Sequence, residues 1–249
     1  WINSVRYKSN RYLLGTLDTK GEYDPQFIDY QTYLNWRPNK RWEIGFIGNI
    51  SENKYIFQPE DRNTRFGTMA SVREFKVYFD GQERDVFRTF FGAANATYKF
   101  NENNSLTFQA SAFHTKEQET YDITGQYWLN EEDTDTDTGE TIGVGTYMEH
   151  ARNYLNADVQ SYSLTGQHRI QRHAIQWGLE LKAERIKEKL REWEMRDSAG
   201  YSLPQVPNGP ELIYSLSSKN DINSNRLSIY AQDSYKFQSG AGLFTLTAG

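Results

Sequence analysis

The chain has 249 residues, no cysteine, a formal net charge of −5 and a hydrophobic fraction of 37%. The missing cysteine excludes a disulfide scaffold and cysteine-ligated metal, and the acidic balance argues against a nucleic-acid partner. No run approaches the roughly 18 apolar residues of a membrane-crossing helix. The aromatic fraction of 15% is too high for a disordered chain. A transmembrane β-barrel accounts for both low hydrophobicity and high aromatic content, because its lumen is polar, its lipid-facing band is thin and its interfaces carry aromatic girdles.

Residues 1 to about 26 are polar and rich in turn residues (Asp18-Thr19-Lys20-Gly21, Tyr23-Asp24-Pro25) and read as a loop. They open on Trp1 with no charged or apolar leader, and the other end stops at Ala248-Gly249 within a strand pattern. The expectation is an internal piece of a longer protein. The first strand is Phe27 to Trp36, where Ile28, Tyr30, Thr32, Leu34 and Trp36 oppose Asp29, Gln31, Tyr33 and Asn35. After the turn Arg37-Pro38-Asn39-Lys40, Arg41 to about Ser51 puts Trp42, Ile44, Phe46, Gly48 and Ile50 on one face. Strict alternation is a strand signal, because successive strand side chains point to opposite faces.

The same hairpin unit recurs three more times. An insertion from about Glu52 to Arg88 precedes the second, with its own ribbon predicted at Val72 to Phe79 and a hairpin signal at Asp80-Gly81. Strands Thr89 to Phe100 and Ser105 onward flank the turn Asn101 to Asn104. A second insertion, about Lys116 to Asn156, leads to Ala157 to Ile170, the turn Gln171-Arg172-His173, and a strand from Ile175. Leu179 to Arg196 is dense in Glu, Lys and Arg, with Ile186, Leu190 and Trp193 at helical spacing. It reads as a strand, since Trp177 to Leu181 already sets a period of two; a charged amphipathic helix is the alternative. A third insertion runs to about Ser224. Then come Leu227 to Phe237, with Asp233 misplaced on the apolar face, and Phe244, Leu246 and Ala248 of an eighth strand.

Connections thus alternate short and long, as in outer-membrane barrels with short periplasmic turns and long extracellular loops. The predicted fold is an all-β, antiparallel transmembrane β-barrel domain covering residues 1–249. Trp36, Trp42, Tyr98, Phe100, Tyr235 and Phe237 lie beside short turns as an interfacial girdle. A soluble antiparallel sandwich or barrel also alternates and is the plain alternative.

Tyr230-Ala231-Gln232-Asp233-Ser234-Tyr235-Lys236-Phe237, a short turn and Phe244-Thr245-Leu246-Thr247-Ala248-Gly249 resemble a strand pair common in TonB-dependent receptors. There an aromatic-x-Gln-Asp-x-aromatic-Lys strand precedes Leu-Thr-x-x-Gly, and Asp233 is then expected. Gln171 to Glu180 and Tyr121 to Leu129 carry a more diffuse likeness. The resemblance implies a 22-stranded barrel of which these eight strands are a part, with a globular plug outside this chain. It implies outer-membrane import of a large or scarce nutrient (a metal chelate, cobalamin or a glycan), driven by the TonB complex. A surface lipoprotein partner is open. The alternatives are a barrel of this family serving a structural or secretion role, a plain porin or adhesin barrel, and a soluble glycan-binding module.

Candidate ligand residues are the aromatics and the cation of the insertions: Tyr127, Trp128, Tyr147, Arg152 and Trp193, with Tyr121, Tyr154 and Tyr201 nearby in sequence. Aromatic faces stack on sugars and chelates, and Arg binds carboxylates; loop-on-loop packing is the other use of such residues. Asp133, Asp135, Asp137 and Glu140 invite calcium, but Thr138 and Val144 stand where an EF-hand loop requires Gly and Glu. The four histidines, His114, His150, His168 and His173, show no metal-ligand spacing. No catalytic grouping, metal ligand or cofactor motif is assigned.

Overall fold

A computed structural model of the chain describes residues 1–9, 21–68, 71–133, 138–197, 209–240 and 242–249. The described residues form eleven strands: β1 (Ile2–Ser9), β2 (Gly21–Tyr23), β3 (Gln26–Trp36), β4 (Trp42–Pro59), β5 (Arg62–Gly67), β6 (Ser71–Asn101), β7 (Asn104–Asp133), β8 (Thr138–Ile170), β9 (His173–Asp197), β10 (Glu211–Ser239) and β11 (Gly242–Ala248). They make one antiparallel sheet in the order β1-β3-β4-β6-β7-β8-β9-β10-β11, with β2 added to β4 and β5 to β6. Sequence neighbours pair from β5 to β11, β1 pairs with β3 past the short β2, β4 pairs with β6 past β5, and the sheet is open at β1 and β11.

The four predicted hairpins form at the predicted turns. Asn39 Oδ1 accepts from the backbone N–H groups of Arg41 (2.9 Å) and Trp42 (3.0 Å), closing the β3–β4 turn. Asn101 Oδ1 does the same for Asn103 N–H (2.9 Å) between β6 and β7. Short Asn side chains that bond the backbone two residues on are turn formers for this reason. Gln171 takes φ 54° between β8 and β9.

Three expectations are corrected. The first segment is not a loop, because Ile2–Ser9 pairs along β3 from Tyr33 to Gln26. The long insertions are not irregular loops either. Strands β6, β7 and β8 run 31, 30 and 33 residues without a break in type, and β9 and β10 run 25 and 29. At about 3.3 Å per residue a 30-residue strand is roughly 100 Å long, against a hydrocarbon thickness of about 30 Å. Asp80-Gly81 is no hairpin turn: β6 passes through it, leaving β5 (Arg62–Gly67 against Val72–Val77) to join β4 from Glu83. Gly81 bends the strand there at φ +100°, and a Cβ on it would lie 1.9 Å from the Asp122 carbonyl oxygen. The separate ribbon in this insertion does form, as β5 with the start of β6. The charged Leu179–Arg196 segment is strand throughout, as expected, and the amphipathic-helix alternative does not form.

One face of the lower sheet is apolar. Hydrogen-bonded neighbours place Trp36, Ile44, Ala96, Phe108, Leu164, Leu179 and Ile229 in one row across seven strands. Four of these side chains lie open, Trp36, Phe108 (49% exposed), Leu179 (41%) and Ile229 (74%), and Ile44, Ala96 and Leu164 are half-buried. Among the described residues no large side chain is fully buried, and the buried apolar ones are small and few: Val77, Val86, Ile123, Ala151 and Ala157.

The apolar band also crosses the rows obliquely. Tyr30, Ile50 and Phe90 share a row on β3, β4 and β6, but that row continues as His114, Asp158, Arg185 and Asn223 on β7 to β10. At the other end β4 begins at Trp42, whereas its row partner on β10, Ala231, is followed by Tyr235 and Phe237 before the strand ends. The band therefore steps toward the short turns from β3 to β10. Strands tilted to the direction of an apolar band leave this offset.

Candidate functional site

Above the apolar band the alternation continues with charge in place of hydrophobicity. Three successive rows of the face opposite the band carry the candidate site. The lowest is Asn53, Phe87, Glu117, Leu155, Glu188 and Asn220. The next contains Tyr55, Asp85, Glu119 and Asn153, and the third Phe57, Glu83, Tyr121, Ala151, Glu192 and Leu216. Six carboxylates and no Lys or Arg stand on these rows, which form an acidic wall with aromatic side chains along it.

The wall is crowded enough to perturb titration. Burial, with Asp85 and Glu119 adding like charge, pushes the Glu83 carboxyl up to about 7. Asp85, 8% exposed, is raised by burial and by Glu119, and its Oδ1 is buried with no hydrogen-bond partner among the described residues. Tyr121 rises to about 12, through burial and then the charges of Glu192, Glu149, Glu119 and Glu83. Buried charge next to like charge disfavours ionisation, which is the cause in all three. Asn153, 7% exposed, ties the wall together: its Nδ2 donates to Glu192 Oε1 at 2.6 Å, and its Oδ1 accepts from Arg191 N–H at 3.3 Å. Such a surface repels anions and concentrates cations near it. Among the described residues, no group of three or more His, Asp or Glu is placed to hold a metal ion.

Farther up the same face lies an aromatic patch. Tyr127 and Tyr147 each cross a neighbouring strand at a glycine. The Tyr147 ring lies over Gly125 and that of Tyr127 over Gly145, where added Cβ atoms would fall 2.2 and 2.0 Å from ring carbons. Phe79 meets Tyr147 edge-on at 6.2 Å, Phe75 lies 6.3 Å from Tyr127, and Tyr127 Oη donates to the Asp197 carbonyl at 2.5 Å.

The five candidate ligand residues do not converge. Tyr127 and Tyr147 belong to this aromatic patch. By alternation Trp128, Arg152 and Trp193 lie on the opposite face. There Trp193 stacks on His150 at 5.0 Å and 11°, His150 Nδ1 meets Asp122 Oδ1 at 2.5 Å, and Arg152 pairs with the other Asp122 oxygen. The acidic Asp133–Glu140 run and Tyr201 lie outside the residues whose side chains are described. Sequence reasoning missed Tyr55, Phe57, Phe79 and the six wall carboxylates. Their signal was present as period-two alternation of charge against charge, most clearly in Glu184-Arg185-Ile186-Lys187-Glu188-Lys189.

The six girdle residues gather at the short-turn end. Trp42 lies 5.0 Å from Tyr98, Tyr98 meets Phe100 at 90°, and Tyr235, Phe237 and Phe244 stack in series. Trp177 lies across Gly166 and donates from Nε1 to His168 Nε2 at 3.1 Å. Asp233, out of place in the apolar pattern, meets His173 Nδ1 at 2.6 Å.

No protein-family model matches the chain, and no curated protein matches its sequence.

Proposed function

We propose that these strands are part of the wall of a TonB-dependent outer-membrane receptor that imports a large or scarce nutrient. The observation that carries the reading is the exposed, oblique apolar band with aromatic residues at its turn-side edge. A water-soluble sheet that leaves Ile229 74% and Leu179 41% exposed across a continuous row forfeits its main driving force for folding. Lipid removes that penalty. It also requires every backbone group to be paired, so the free edges of β1 and β11 call for further strands. The pairing of β10 with β11 at Tyr235–Leu246 and Phe237–Phe244 supports the hairpin on which the family resemblance rests.

In this reading the acidic wall faces the lumen above the membrane, at the mouth through which cargo enters. Its field favours cargo or cargo complexes with exposed positive charge over free anions. Strands β6 to β10 continue for more than half of their length beyond the band, so in this reading the mouth is a tall paired wall rather than a set of loops.

The reading is tested in planar bilayers with the full-length protein. A plugged importer gives no steady conductance until urea unfolds the plug, and it binds the periplasmic domain of TonB. Steady conductance from the first insertion, with no TonB binding, overturns the importer in favour of a porin.

A further inference from the structure

The acidic wall contains a carboxylate oxygen that the chain leaves without a donor. Asp85 is 8% exposed, and its Oδ1 is buried with no hydrogen-bond partner among the described residues. Its row neighbours are Tyr55 on β4 and Glu119 on β7, and the next row up carries Phe57, Glu83 and Tyr121 on the same three strands. Glu83, Asp85 and Glu119 form no ion pair among the described residues. A buried acceptor without a donor, between two further carboxylates, costs stability that no side chain on these rows offsets.

Aromatic rings border the three carboxylates on the β4 side. Tyr23 on β2 stacks on Phe57 at 4.8 Å and 28° and lies 6.4 Å from Tyr55. Burial, then the charge of Glu83, raises the Tyr55 hydroxyl above its ordinary value, so this ring stands within the field of the carboxylates. Carboxylates and ring faces both attract cations, and here they share one surface.

The shape of the fitting cation follows from the spacing. Among the described residues, no three His, Asp or Glu close on a point as metal ligands do. Glu83 and Asp85 instead stand two residues apart on β6, about 7 Å along the strand, and Asp85 faces Glu119 about 5 Å across. Charge spread at such intervals beside apolar rings suits an alkyl chain bearing several ammonium groups better than a compact ion.

We infer that Glu83, Asp85 and Glu119, with the rings of Tyr55, Phe57 and Tyr121, bind a linear polyamine, one ammonium group donating to Asp85 Oδ1 and the methylene chain lying along the rings. The site rests on the sheet; its use for cargo rests on the importer reading above.

The test is calorimetric titration of the full-length protein in detergent with spermidine, fully N-acetylated spermidine and magnesium chloride. Spermidine is expected to saturate a single site. The acetylated compound should not bind, and magnesium at matched charge should not displace spermidine. Glu83→Gln/Glu119→Gln should weaken spermidine at least about tenfold and Tyr55→Leu about threefold. Glu43→Gln/Glu180→Gln removes the same charge lower on the same face and should leave the affinity unchanged. Asp85→Asn supplies a second readout. It removes a buried charge beside Glu119, so it should raise the unfolding temperature of the ligand-free protein and abolish the rise that spermidine causes in the wild type. Equal weakening in the Glu43/Glu180 variant, displacement by magnesium, or equal binding of the acetylated compound overturns the site. The two levels separate: a protein that binds spermidine but conducts from the first insertion keeps the site and loses the importer, whereas one that stays plugged and binds TonB but ignores spermidine loses the site alone.

Discussion

Leu179 lies in the middle of the β9 apolar run, between Leu164 on β8 and Ile229 on β10. Replacing it with Arg separates a lipid environment from water by magnitude. An Arg near the bilayer midplane of a barrel costs about 2–4 kcal/mol, whereas a change at an exposed aqueous position stays within about 0.5 kcal/mol. Leu179 is 41% exposed, so the sheet itself offers little packing to lose, and the difference reports the surrounding medium. The larger cost corresponds to a roughly 30- to 700-fold shift in the folding equilibrium. The assay is urea unfolding of the full-length protein in phospholipid vesicles, with Ser163→Arg as control. Ser163 faces the other way, in register with Glu180, which offers the new cation a partner. We expect Leu179→Arg to lose at least about 2 kcal/mol and Ser163→Arg less than about 1 kcal/mol. Equal losses within about 0.5 kcal/mol would refute the assignment of this face to lipid.

Gly81→Ala places a Cβ 1.9 Å from the Asp122 carbonyl at a φ of +100°, so it should destabilise by about 1–3 kcal/mol and expose the β5–β6 ribbon to limited proteolysis. Glu83, raised to about 7, holds a proton in the folded protein that the unfolded chain has released. Its contribution to stability therefore falls as pH rises from about 4.5 to about 7. The denaturant midpoint should drop across that window in the wild type and drop less in Glu83→Gln; parallel curves would sink the claim that Glu83 is buried among like charges. Glu74, lowered to about 2 by hydrogen bonds from Lys76, Asn63 and Arg65, acts in the opposite sense. The ribbon should resist proteolysis above about pH 4.5 and lose that support only as pH falls toward 2, and Glu74→Gln should abolish this dependence.

The lower sheet was legible because its two faces differ in polarity. Ile28 to Trp36 against Asp29 to Asn35 is a pattern that only a half-exposed strand explains. The upper sheet was not, because its faces differ in sign of charge rather than in hydropathy. Lys187-Glu188-Lys189 is uniformly polar and legible as strand only by extending the period of two set by Trp177 to Leu181; the other strands read as ending where their apolar residues end. Ile2–Ser9 escaped for a related reason: Asn3, Ser4, Arg6 and Lys8 dilute its alternation, and its strand character comes from pairing with β3. Tyr127 and Tyr147 were singled out as residue types, but their meeting depended on Gly125 and Gly145, which leave room for rings to cross the neighbouring strands. Trp128, Arg152 and Trp193 looked equivalent in sequence, yet parity sends them to the other face. Asp233 looked like a flaw because its partner, His173, is brought beside it only by the β9–β10 register.

The most direct measurement is solvent accessibility along the rows of the lower sheet. The 249 residues contain no cysteine, so single Cys substitutions place a nitroxide label at one chosen position. In vesicles, labels at 108, 164, 179 and 229 should be relaxed by oxygen, and labels at 107, 165, 180 and 228 by a water-soluble nickel chelate. Along the single row of Ile50, Phe90, Arg185 and Asn223, the first two positions should report lipid and the last two water. Equal access of the nickel chelate to both faces, or one uniform environment along that row, would contradict a tilted, membrane-spanning sheet.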